Sequence, residues 1–205
     1  MESKEHWDHV YQSKSADSVS WFQEHARQSL DLIKSIGASH TASIIDVGGG
    51  ASTLVDDLLD DGFENLSVLD VSAHALAVAG QRLGQMRSRV GWIVGDICRV
   101  ALPSQSFDIW HDRAVFHFLT DPVERLAYVN QVLRCVRPGG HVIVATFGPD
   151  GPGKCSGLPV RRYSPEGLHG EFGSAFELIE HASEAHRTPL GNIQHFIYCH
   201  CRKPH

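Results

Sequence analysis

The chain contains no run approaching the roughly 18 apolar residues of a bilayer-crossing helix, so no membrane span is expected. Positive charge is in deficit: 18 lysines and arginines against 24 acids leave a formal net charge of −6. A nucleic-acid partner normally leaves a basic footprint, and that class is disfavoured. Cysteine is sparse and odd in number, five residues without a framework spacing. That usage predicts reduced thiols and a cytoplasmic protein. The segment "MESKEHWDHVYQ" lacks the basic-then-apolar layout of a signal peptide. Despite 14 histidines, no HxxxH or HExxH falls on a convincing helix. The tightest cluster is His195, Cys199, His200 and Cys201 in "HFIYCHC", where strand alternation puts 195, 199 and 201 on one face. Two readings of that face stay open, a metal site and small cysteines packed into a core. The second is preferred, and no metal is expected.

What is present is a chain of 205 residues, the size of one domain, with enough apolar residues for a substantial core. Two helical stretches come first, "KEHWDHVYQ" and "SWFQEHARQSLDLIKSIG", the second with Ser20 as its N-cap and Gly37 closing it. From residue 43 strands and helices alternate. "SIIDV", "NLSVLDV", "VGWIVGD", "SFDIWHD" and "GHVIVATF" read as five strands. Between them lie the helices "STLVDDLLDDG", "SAHALAVAGQRLGQMRS" and "PVERLAYVNQVLRCV", the last with Leu126, Val129, Val132 and Leu133 expected on its buried side. Residues 149–163, rich in glycine and proline, read as a long loop, and "SPEGLHGEF" as a short capped helix. "AFELIEHAS" and "QHFIYCHCRK" form an expected antiparallel pair at the sheet edge. The fold class is α/β: a Rossmann-like, doubly wound sheet of seven strands, mostly parallel, with an antiparallel C-terminal pair and helices on both faces.

In such a sheet, ligands bind beyond the carboxyl ends of the strands. Asp46, Asp70, Asp96 and Asp112 all fall at or just past the ends of the first four strands, and Gly48, Gly49 and Gly50 follow the first. One such acid would be an ordinary turn or cap residue. Four in succession would line one crevice. Two cofactor classes use this layout. The dinucleotide fingerprint G-x-G-x-x-G is damaged, because Thr53 stands in its third place.

The second class carries a resemblance. "IIDVGGGAS", "LSVLDVS", "VGDI", "FDIWHDRAVFHFL" and "VRPGGHVIVATF" together resemble the class I S-adenosylmethionine-dependent methyltransferases over nearly the whole length from residue 43. The resemblance implies an acidic crevice for a cationic donor and S-adenosylhomocysteine as product. It places Asp46 near the methionine moiety and the Gly48–Gly50 backbone against the ligand. It gives Asp70 the ribose hydroxyls, Asp96 the adenine amino group, and Val71 and Ile97 the two faces of the ring. Where the family often has glycine, this chain has Ser52. On this reading residues 1–42 form a helical lid, 43–148 the cofactor-binding core, and 149–205 the substrate loop and C-terminal hairpin of a single domain.

The acceptor is less legible, since an in-line displacement from a sulfonium asks mainly for alignment and exclusion of water. Asp112-Arg113 resembles the Asp-Arg or Asp-Lys of thiopurine and tellurite methyltransferases and of some protein lysine methyltransferases. It makes Asp112 a candidate for contact with donor or acceptor, and His111 and His117 candidate proton acceptors. The plainer reading pairs Arg113 with Asp112 and packs the histidines. Lys154, Arg161 and Arg162 read either as a solvated basic loop or as a lid over an anionic acceptor. Trp21, Phe22, Trp7 and Tyr11 are candidates to close the site from the N-terminal side. The expectation is methyl transfer to a small molecule by a monomer or homodimer. Protein lysine methylation is the alternative, ahead of a non-catalytic binding module and a nicotinamide dehydrogenase.

Overall fold

Alternation within the strands decides the layering. In the computed structural model, which describes residues 4–205, strand β4 (Phe107–Arg113) sends Ile109 to one face and Trp110 to the other. Strand β5 (Val136–Phe147) splits likewise, with Val142 and Val144 against Ile143, Ala145 and Phe147. Such strands are apolar on both sides and must be covered on both. With β1 (Ser43–Val47), β2 (Asn65–Asp70) and β3 (Val90–Val94) they make five parallel strands. Two short strands, β6 (Lys154–Cys155) and β7 (Leu158–Pro159), form a separate hairpin within the expected loop. Strands β8 (Glu177–Arg187) and β9 (Ile193–Arg202) complete the sheet in the order β3-β2-β1-β4-β5-β9-β8, with β9 antiparallel to both neighbours. The Rossmann-like seven-stranded sheet with its antiparallel C-terminal pair is as read from the sequence.

One face of the sheet is covered by α2 (Arg27–Ser35), α3 (Leu54–Asp60) and α4 (Ala73–Leu83), whose Leu32, Leu54, Leu58 and Leu76 share a core with Ile44, Ile109 and Ile143. The other is covered by α5 (Pro122–Cys135) and α6 (Pro165–Phe172), through Tyr128, Val132, Leu168 and Phe172. Helix α1 (Lys4–Ser13) lies over the carboxyl end of β2, where Ser72 Oγ donates to Asp8 Oδ1 at 2.6 Å. Ser72 also caps α4 by accepting from Ala75 N, as expected. Among the described residues no helix is long and apolar enough to cross a membrane.

Two expectations about helices are corrected. The second helix begins at Arg27, and Ser20 does not cap it. Residues 19–26 instead form an irregular strap whose carbonyls are claimed from outside. His186 Nε2 binds Ser20 O at 2.7 Å, Arg113 Nη1 donates to Trp21 O, and Thr53 Oγ1 donates to Gln23 O. On α5, Val132 is buried and Val129 packs against the core as expected, but Leu126 is 61% exposed and Leu133 38% exposed, so the buried face is rotated from the anticipated one. The buried face carries Arg125, Tyr128, Gln131, Val132 and Cys135. Its polar members satisfy loop carbonyls: Arg125 those of Leu119 and Thr120, Gln131 those of Ile97 and Val100. Burial that depends on hydrogen bonding is invisible to an apolar pattern.

Candidate active site

Strand β1 ends in a turn that wraps round the neighbouring strand: Gly48 N and Gly49 N both donate to Leu69 O, at 2.7 and 3.2 Å. Gly48 and Gly50 have φ of +68° and +45°, which favour glycine. Space matters as much as conformation. A Cβ on Gly49 would stand 2.5 Å from Asp46 Oδ2, and one on Gly50 would stand 2.9 Å from Asp70 Oδ2. The missing side chains therefore make room for two carboxylates beside the turn. Asp70 Oδ1 accepts from Ser72 N at 2.7 Å. Burial, with Asp46 and Asp8 adding like charge, pushes the Asp70 carboxyl up to about 7 against the pull of the Ser72 amide.

Two adjoining cavities open on this turn and share Tyr11, Trp21, Gly48 and Arg113. The first, about 640 Å³ with its mouth included, takes in Asp70, Val71, Gly95 and Ile97 on one side. Its other side is walled by Trp7, Val115, Phe118 and Cys155. The second, about 540 Å³, runs under the strap between Asp46, Ser29, His111, Ser52 and Thr53. Trp7 packs edge-on against Trp21 and Phe118, with ring centroids 5.8 and 5.1 Å away, and so helps close the first cavity. Asp96 stays at the rim, accepting from Cys98 N at 2.9 Å, while its neighbours Gly95 and Ile97 form the wall.

Several expected site residues are elsewhere. Asp112 is fully buried and faces the core, with Tyr128 Oη donating to Oδ2 at 2.6 Å and Val115 N to Oδ1 at 2.9 Å. Burial raises its carboxyl to about 6, and it touches neither cavity. Its role is to fix the turn after β4. Tyr128→Phe should accordingly cost about 3 kcal/mol in urea denaturation, because it strands both the Asp112 carboxylate and Trp110 Nε1. His117 is packed between Phe118 and Phe147, outside the cavity lining. Burial, with Arg113 nearby, lowers it to about 3, so it stays neutral and takes no proton from an acceptor. His111 lines the second cavity, but both of its ring nitrogens are already hydrogen-bonded. Arg113 lines both cavities, yet its guanidinium is bound to Glu184, Tyr198 Oη and Trp21 O and stacks on Phe196 at 4.1 Å. Arg161 lies beside Glu171, and Arg162 donates to Pro149 O and Gly151 O. Neither lines the cavities, so the basic-lid reading of the loop is corrected.

A methyltransferase-domain family model matches residues 45–144, from β1 through most of β5. That stretch is a methyltransferase domain, and with the fold it supports the class I S-adenosylmethionine-dependent methyltransferase family. Among its relatives is the demethylmenaquinone methyltransferase of Beutenbergia cavernae, 30% identical over 56% of this chain and 45% of that protein. Another is the human EEF1A lysine methyltransferase 2, 23% identical over 87% of this chain and 75% of that one. The chain spans less than half the length of the curated relatives it matches at 26 to 30% identity. A solved 1,6-didemethyltoxoflavin-N1-methyltransferase from Burkholderia thailandensis, with bound 1,6-didemethyltoxoflavin and S-adenosylhomocysteine, shares the fold. Its TM-score is 0.67 at 18% identity, over 96% of this chain and 81% of that one.

The candidate site is also built from residues that give no sequence signal. Ser29, Cys155, Glu184 and Tyr198 come from four separate elements. Each reads in isolation as an ordinary helix or strand residue. The thiols of Cys199 and Cys201 lie 3.2 Å apart in the core, while His195 is exposed. Among the described residues no group of three or more histidines, cysteines or acids is placed to hold a metal.

Proposed function

We propose that the chain binds S-adenosylmethionine and directs its methyl group to a small, largely apolar acceptor. The observation carrying this reading is a crevice whose two cavities meet at the glycine turn, Asp70 in one and Asp46 in the other, with an apolar wall of Trp7, Val115, Phe118 and Cys155 beside Asp70. The residues fit the donor. Asp70, buried with Oδ2 beside the Gly50 backbone, is an acceptor for paired hydroxyls. Val71 and Ile97 offer apolar contact to a flat ring, and Asp46 offers negative charge to an ammonium. When bound, S-adenosylmethionine supplies an electrophilic methyl on a good leaving group. The chain's own contribution is alignment and exclusion of water by Trp7, Trp21 and Phe118.

Among the described residues, the apolar wall of the first cavity offers no free base. Cys155 holds its proton up to about 12 because it is buried, and Arg113 is paired with Glu184. This favours an acceptor that is already nucleophilic at working pH, such as a neutral amine, a thiolate or an enolate. Protein lysine methylation remains the second reading. It is favoured by an open groove beside the strap that contains Asp17, Glu24 and Glu184. Glu184, however, is committed to Arg113 and Tyr198.

Calorimetry with S-adenosylmethionine, S-adenosylhomocysteine and NAD tests the first step, with binding expected for the two adenosyl-sulfur compounds alone. Release of S-adenosylhomocysteine is then followed with small aromatic amines and thiols and, separately, with a lysine-rich protein. Turnover with the protein alone would reverse the order of the two readings. Binding of NAD would remove both.

A further inference from the structure

Asp46 and His111 face each other directly across the parallel β1–β4 pair, so their side chains leave the sheet on the same face. That face is covered by α2, which brings Ser29 over them. The result is a linear chain of three side chains. His111 Nδ1 lies 2.7 Å from Asp46 Oδ1, and His111 Nε2 lies 2.8 Å from Ser29 Oγ. Asp46, His111 and Ser29 are 4%, 2% and 0% exposed, and all three border the second cavity. A carboxylate at Nδ1 requires a proton there, which leaves Nε2 in the neutral ring to accept from the serine hydroxyl. Both rotational freedoms of Asp46 are thereby fixed, and Oδ2 is held beside the Gly49 backbone.

We infer that Ser29 and His111 are positioning residues that hold Asp46 as the receptor for the ammonium group of the donor's amino-acid end. This rests on the cofactor reading above. Three buried polar groups are a costly way to fill the floor of a cavity that apolar side chains could fill, unless their orientation is used. The relay also ties α2, which follows the strap, to the carboxylate at the base of the glycine turn. Placement of the donor's amino-acid end therefore depends on the helix that carries the strap.

The test uses two ligands that share the adenosyl-sulfur end. S-Adenosylhomocysteine has the amino-acid end and 5′-methylthioadenosine lacks it. His111→Leu is expected to weaken S-adenosylhomocysteine about tenfold, the scale of one hydrogen bond to a charged group. Its effect on 5′-methylthioadenosine should stay under about twofold. His111→Asn keeps a donor near the Nδ1 position and should restore most of the loss. Equal weakening of both ligands would mean general loosening and would overturn the inference, as would no weakening of either. Should His111→Leu fail to fold, Ser29→Ala removes only a hydroxyl and should give the same ligand selectivity at a few-fold scale. Nitrogen NMR of the wild-type protein checks the geometry without any ligand: a proton on Nδ1 is expected, and a ring protonated at Nε2 alone contradicts the relay. A wild-type protein that binds neither compound would instead defeat the cofactor reading itself.

Discussion

Asp70→Asn should melt at a higher temperature than the wild-type protein at pH 8 while losing roughly a hundredfold in affinity for S-adenosylhomocysteine. Both effects come from the same burial. The Asp70 carboxyl, 7% exposed, is raised from 3.8 to about 7, chiefly by removal from water and then by Asp46 and Asp8. A carboxyl that holds its proton more tightly folded than unfolded favours the folded state only while protonated. Its contribution therefore falls as pH climbs from 3.8 to about 7. Over that interval the loss is on the order of 4 kcal/mol at about 1.4 kcal/mol per pH unit. Asparagine keeps an oxygen for Ser72 N and carries no charge, so its advantage should be large at pH 8 and gone near pH 4. Ligand hydroxyls donating to the ionised carboxylate supply what the empty fold lacks. Binding should then release a proton, and wild-type affinity should rise about tenfold between pH 6 and pH 8. Calorimetry in buffers of different ionisation enthalpy reads the proton directly. A flat profile, or an asparagine variant that binds normally, would place the ribose elsewhere. A stability gain with loss of binding would mark Asp70 as strain retained for function.

The strands were legible because each is a short apolar run bounded by turn residues, and the acids at their ends were legible because topology fixes where strand ends go. Asp70, Val71, Ile97 and the three glycines could be found in that way. What failed was inference about where particular side chains point. Asp112 stands one residue before the end of β4, level with Leu69 rather than Asp70, so strand alternation turns it to the opposite face, where Tyr128 and the Val115 amide hold it in the core. Trp21 and Phe22 have helical spacing from Leu30 and Ile33, but the carbonyls of 20 and 21 are bound by His186 and Arg113 in a strap that is not helical. The relay could not have been read in advance, because it joins residues 29, 46 and 111 through contacts that exist only once α2 is packed on the sheet. Arg113 shows the limit most plainly: its place at the end of β4 was legible, but its partner is on a strand 71 residues away.

Replacing Arg113 by methionine is the other substitution expected to have a large effect, on the fold and the strap rather than on acceptor recognition. The Arg113 side chain is 9% exposed and Glu184 14%, and Tyr198 Oη donates to the same carboxylate oxygen at 2.8 Å. Gln23 on the strap is bonded to the other oxygen of Glu184. Removing the guanidinium leaves a buried carboxylate with neutral partners only, a change that costs about 3–5 kcal/mol. For a chain of this size that is a drop in Tm of about 10 °C. Removing both charges, as Arg113→Met with Glu184→Leu, takes away the stranded charge as well as the bond and should recover most of the loss. The strap gives a second, independent readout. With Trp21 O released and the Glu184 carboxylate that holds Gln23 left without its counter-charge, residues 19–26 should loosen, and chymotrypsin should cut after Trp21 or Phe22 well before the sheet unfolds. If Arg113 were instead held for the acceptor, methionine there would raise the acceptor KM while Tm and the proteolysis rate stayed at wild-type values. The two outcomes are opposite. Because Trp21 borders both cavities, a detached strap would also open the crevice to water, so turnover should fall in proportion to strap cleavage.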